Sequence, residues 1–98
     1  MEIPNIYSLN YKVPDTTINS IKRYVEYGEM PGHFLMAVLT NNLRWAVRSA
    51  DAANQTALAG IVRLLIDCAP TDCWGSEEKV NAYITKMRQK REIGGLEF

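Results

Sequence analysis

From Pro14 to Gly95 the apolar residues recur at steps of three and four and never settle into alternation, so the chain reads as helices separated by proline, glycine and asparagine. Pro14-Asp15-Thr16-Thr17 supplies capping oxygens and an early proline, and Ile18, Ile21 and Val25 then form one stripe that Gly28 ends. Pro31-Gly32-His33 opens a second helix whose apolar face is Phe34, Leu35, Val38, Leu39, Trp45 and Ala46, interrupted by Asn41-Asn42. A third stretch over 52–68 turns Leu58, Ile61, Val62 and Leu65 inward. It either continues the second through a bend near Ser49-Ala50-Asp51 or follows a tight turn. Ala69-Pro70 ends it. Ser76 caps a last helix whose inner face is Val80, Tyr83, Ile84 and Met87, and Gly94-Gly95 is expected to terminate it, with the final residues frayed. Residues 1–13 show no helical period.

The expected fold is therefore all-α, a small helical bundle with an extended N-terminal arm. The arm covers 1–13, the first helix 14–28, a long or bent helix pair 31–68, and the last helix 76–92. Ninety-eight residues make one small domain, and 47% of them are apolar. Burying apolar area between identical subunits relieves both constraints, so a homo-oligomer is expected.

Eleven basic residues balance eleven acidic ones, which argues against a nucleic-acid polymer as partner and leaves room for a small anion. Cys68 and Cys73 flank a turn and are expected as free thiols. No metal or other cofactor is expected, because His33 is the single imidazole. No apolar run suits a membrane helix, and Met1-Glu2-Ile3-Pro4 lacks the regions of a signal peptide, so a cytoplasmic setting is expected.

Catalytic constellations are missing: the carboxylates are scattered, and no glycine-rich phosphate loop has the usual spacing. The chain is expected not to be an enzyme. Tyr7 could stack on a base, and Lys22 and Arg63 could hold phosphates. Each also has a structural explanation. Lys22 precedes Glu26 by four residues, Arg63 precedes Asp67 by four, and Tyr7 could cover the core. Gly60, one turn before Arg63, clears space for a ligand or another backbone.

The segments Ile21-Lys22-Arg23-Tyr24-Val25-Glu26-Tyr27-Gly28, Pro31-Gly32-His33-Phe34-Leu35, Ala37-Val38-Leu39 and Cys73-Trp74-Gly75-Ser76 resemble the phage anti-CBASS nucleotide sponges over about residues 3 to 85. CBASS is a bacterial immune system triggered by cyclic oligonucleotides. The resemblance implies a helical homohexamer in the host cytoplasm that sequesters cyclic dinucleotides such as cGAMP, and cyclic trinucleotides, without cleaving them. It implies Tyr7 and Lys22 as the dinucleotide pair, meeting across a subunit boundary, and Arg63, Ser8 and Tyr24 as the trinucleotide residues. Tyr24 departs from the pattern, which has a small polar residue there. A helical protein–protein interaction module of a phage accessory protein is the alternative reading.

Overall fold

The computed structural model describes residues 2–96, with side chains through Arg91. Six α-helices and no strand occur among them: α1 (Ile6–Leu9), α2 (Asp15–Tyr27), α3 (His33–Leu39), α4 (Leu43–Ser49), α5 (Ala52–Cys68) and α6 (Glu77–Leu96), with a 3-10 turn at Thr71–Cys73. They pack into a small all-helical globule around one core. No helix is long and apolar enough to cross a membrane among the described residues.

The helix ends follow local chemistry. Gly28 closes α2 at φ 70°, a left-handed conformation that glycine adopts without a side-chain clash, and its N–H reaches the Tyr24 carbonyl at 2.8 Å. Asp51 Oδ1 accepts from Asn54 N at 2.8 Å to start α5, and Ser76 Oγ accepts from Lys79 N at 3.2 Å to start α6. The 31–68 region is thus neither one helix nor a simple pair. Asn41 takes φ 62°, and the Asn42 side chain accepts from Trp45 N, so the second helical stretch divides into α3 and α4. The break shifts the helical phase. α4 buries only Ala46, leaving Trp45, expected on the inner face, 53% exposed beneath the Arg48 guanidinium.

At the other end, α6 runs through Gly94 and Gly95 to Leu96, so the glycine pair does not stop it. An isolated helix tolerates glycine at a cost near 1 kcal/mol each, which shortens helices without forbidding them. The expected fraying beyond that point falls on residues 97–98, outside the described residues.

Ile21, Tyr24, Leu39, Ile61, Leu64, Leu65 and Val80 form the fully covered centre. Two tyrosines tie the helices together at their polar tips. Tyr24 Oη donates to the Cys73 carbonyl at 2.6 Å, and Tyr83 Oη donates to the Val25 carbonyl, with the rings 5.4 Å apart. Large apolar side chains nevertheless remain outside, among them Leu9, Met30, Leu43, Trp45, Val47 and Ile66.

Candidate functional site

The N-terminal segment makes one helical turn, α1, where no helical period was legible, and this turn lies against α5. Its residues Ile3, Pro4, Asn5, Ser8 and Leu9 face Asp15, Ile18, Asn19 and Lys22 of α2 across a groove of about 420 Å³. A hollow of similar volume adjoins it, lined by Glu2, Ile3, Pro4, Asn5 and Lys22. Lys22 therefore stands at the junction of the two. Ligand sites for small molecules typically span about 300–1,000 Å³.

Among the described residues Lys22 is the one cation of this lining, beside the carboxylates of Asp15 and Glu2. No ion pair within 4.0 Å joins Lys22 to a carboxylate among the described residues, although its charge acts on Glu26 one turn on and helps lower that carboxyl. Ser8, Asn5 and Asn19 add hydroxyl and amide groups, while Ile3, Ile18 and Leu9 make the apolar wall. The groove thus offers a point charge for a phosphate, hydrogen-bonding groups for a base edge or sugar, and apolar area for a ring face.

The other residues singled out from the sequence fall elsewhere. Tyr7 turns away from the groove and is only 5% exposed. Its hydroxyl donates to Asp67 Oδ2 at 2.7 Å, and its ring stacks on Tyr11 at 5.9 Å between centroids. A covered ring cannot stack on a base, so in this chain Tyr7 anchors the arm. The exposed ring of the pair is Tyr11. Arg63 Nε donates to the same Asp67 oxygen at 3.2 Å, which is the i,i+4 pair foreseen from the spacing.

Tyr24 is not a surface residue at all. It is completely buried, and its hydroxyl is committed to the Cys73 carbonyl, so its assignment to a ligand pocket is corrected to the core. Gly60 does clear space, though for the arm: a Cβ there would collide with Cβ of Tyr11. The structure consequently regroups the five candidates. Lys22 and Ser8 share the groove, Tyr7 and Arg63 converge on Asp67, and Tyr24 joins neither.

Asp67, Tyr11, Asn5, Asp15 and Asn19 were not singled out. The spacing Tyr7 to Tyr11, one helical turn, was the available signal for the second ring. The Asp67 carboxyl is lowered from its ordinary value, because the Tyr7 hydroxyl donates to it and Arg63 lies beside it, against an opposing burial effect. The Tyr7 hydroxyl is pushed correspondingly up.

His33 lies outside the groove. It lines a separate hollow of about 410 Å³ with polar Thr16, Thr17, Ser20, Asp51 and Asn54 and apolar Phe34 and Leu35, where Thr17 Oγ1 donates to Asn54 Oδ1 at 2.8 Å. Among the described residues no three histidine, cysteine, aspartate or glutamate side chains gather as a metal site requires. Both cysteines are free thiols, Cys73 buried and Cys68 partly so. No family model matches this chain, and neither the curated proteins nor the solved structures contain a significant match to it.

Proposed function

We propose that the chain holds a cyclic dinucleotide without cleaving it, with Lys22 on a phosphate and Ser8, Asn5 and Asp15 on the sugar and base edges. The observation that carries this reading is Lys22, a cation with no carboxylate within 4.0 Å among the described residues, set in a concave groove of about 420 Å³. The likeness to the anti-CBASS sponges supplies the ligand class and the non-enzymatic role. The single imidazole lies on another hollow, and that separation favours storage over hydrolysis.

The proposal is narrower than the resemblance. Of the three trinucleotide residues, Tyr24 is in the core, Ser8 faces the dinucleotide groove, and Arg63 is engaged by Asp67. Dinucleotides are therefore the ligand we favour. Assembly with further copies, which the exposed apolar side chains support, would add a second groove to match a ligand with two phosphates.

Calorimetry and thermal shift with a panel of cyclic di- and trinucleotides test this directly. A ligand at one hundred times its dissociation constant adds about 2.7 kcal/mol to stability. For a domain of this size that corresponds to a rise in Tm on the order of 10 °C. Lys22→Ala should abolish the shift while leaving the unliganded Tm and the oligomeric state unchanged, and intact nucleotide should be recovered after heating. Binding that survives Lys22→Ala at the original affinity would refute the assignment.

A second reading, a helical interaction module, draws on α4. This helix carries exposed Leu43, Trp45 and Val47 between Arg44 and Arg48 and contains no acid. Tryptophan and arginine together are the residue types that concentrate binding energy at protein interfaces. Under that reading Trp45→Ala, rather than Lys22→Ala, removes the biological effect, and no cyclic nucleotide raises the Tm.

A further inference from the structure

The groove has one wall that belongs to the body of the protein and one that belongs to the N-terminal arm. The arm is attached to the body by Tyr7 and Val13, which join the core, and by Ile3, which packs against it. Val13 is buried and its N–H reaches the Tyr7 carbonyl at 3.0 Å, which folds the segment back on itself. Tyr11 lies in the gap left by Gly60, stacked on Tyr7. Among the described residues, the one hydrogen bond from an arm side chain to a charged group of α5 is Tyr7 Oη to Asp67 Oδ2, at 2.7 Å, and Arg63 donates to that same oxygen.

We infer that Asp67 is a positioning residue for the groove: it latches the arm onto α5 and so holds Ser8, Asn5 and Leu9 opposite Lys22. This inference rests on the storage reading for its functional consequence but not for the latch itself. Three features support it. Asp67 does not itself line the groove, and it reaches the arm through the Tyr7 hydroxyl. The two donors on one carboxylate oxygen fix the side chain that Tyr7 must find. Glycine at 60 admits the Tyr11 ring that backs Tyr7, so the latch has a prepared seat.

Hydrogen exchange followed by mass spectrometry or NMR reads the latch without any ligand. The amides of Leu9, Asn10 and Val13 are bonded to Asn5, Ile6 and Tyr7 carbonyls and report whether the arm is folded. Tyr7→Phe keeps the ring and removes only the hydroxyl. It should speed exchange at these amides about tenfold, as losing a hydrogen bond to a charged acceptor implies, while amides of α5 and α6 keep their rates. Asp67→Ala should do the same, and Asp67→Asn, which retains an oxygen acceptor for the hydroxyl, should recover part of the protection. A general loss of structure would instead speed all helices together and show no rescue by asparagine.

The second readout is affinity for cyclic di-GMP and cGAMP. Tyr7→Phe and Asp67→Ala should weaken binding severalfold even though neither residue lines the groove. Unchanged arm exchange in both variants overturns the latch. Faster arm exchange with wild-type affinity overturns the positioning role. Should the wild-type chain bind neither nucleotide, the storage reading falls by itself, and the exchange comparison still decides the latch.

Discussion

Tyr24→Phe separates a core role from a ligand-binding role at a position where the two readings diverge. The ring is fully buried and packs 5.4 Å from the Tyr83 ring, so phenylalanine preserves its apolar contacts. What is lost is the hydroxyl that donates to the Cys73 carbonyl at 2.6 Å. Removing one partner of a buried hydrogen bond leaves the other group desolvated and unmatched, at a cost of about 1–3 kcal/mol. At roughly 4–8 °C of Tm per kcal/mol for a domain under about 100 residues, the melting temperature should fall by on the order of 5–20 °C. Differential scanning calorimetry measures this, and cyclic dinucleotide affinity at 25 °C should be unchanged for the folded fraction. A variant that melts within 1 °C of wild type yet loses nucleotide binding would refute the burial argument, because a hydroxyl with no structural cost and a functional effect must face the ligand.

Three other perturbations follow from the same structure. Gly28→Ala places a Cβ on a left-handed backbone, costing about 1–2 kcal/mol, and drives it into Cβ of Met87 on α6 for about 1–3 kcal/mol more, so thermal or urea melts should show a marked loss of stability. Cys73 is buried and its thiol is pushed up to about 11 by burial, whereas Cys68 is only partly covered, so iodoacetamide near pH 8 should modify Cys68 first and reach Cys73 only after denaturation, read by intact mass. Asp67, held by Tyr7 and then Arg63 below its ordinary value of 3.8, contributes stability that is present above that value and is lost as pH falls through the lower folded value. Tyr7 is raised from an ordinary value of 10.0, so its share is complete below that value and is lost at strongly alkaline pH. Exchange at the arm amides should therefore be slowest between about pH 4 and 10, after correction for intrinsic rates, and Tyr7→Phe should flatten the profile.

What was legible in the sequence is what local chemistry decides. Gly28, Asp51 and Ser76 mark helix ends because a cap needs only a few neighbouring residues, and the inner face of α6 follows from its period alone. The one-turn α1 escaped because four residues are too short to show a period, and it is held by a hydrogen bond across 60 positions. Gly60 announced a close approach without naming its partner, since Tyr11 reaches it only in the folded chain. Arg63 and Asp67 were readable as a helical pair, but that Tyr7 shares their oxygen was not.

Tyr24 shows how such conflicts resolve. It lies outside the stripe of Ile18, Ile21 and Val25 that the sequence shows, and likeness to a family put it in a pocket, whereas in the folded helix it is buried with Thr17, seven residues earlier on the same face of α2. Helical phase is a geometric consequence of the 3.6-residue turn and holds for any chain that forms the helix. A positional likeness carries no such constraint when the residue type has changed, as it has here from small and polar to large and aromatic. Burial therefore prevails at Tyr24. Lys22 lies one position beyond Ile21, about 100° around the helix, which turns it from the core toward the groove wall that the arm completes.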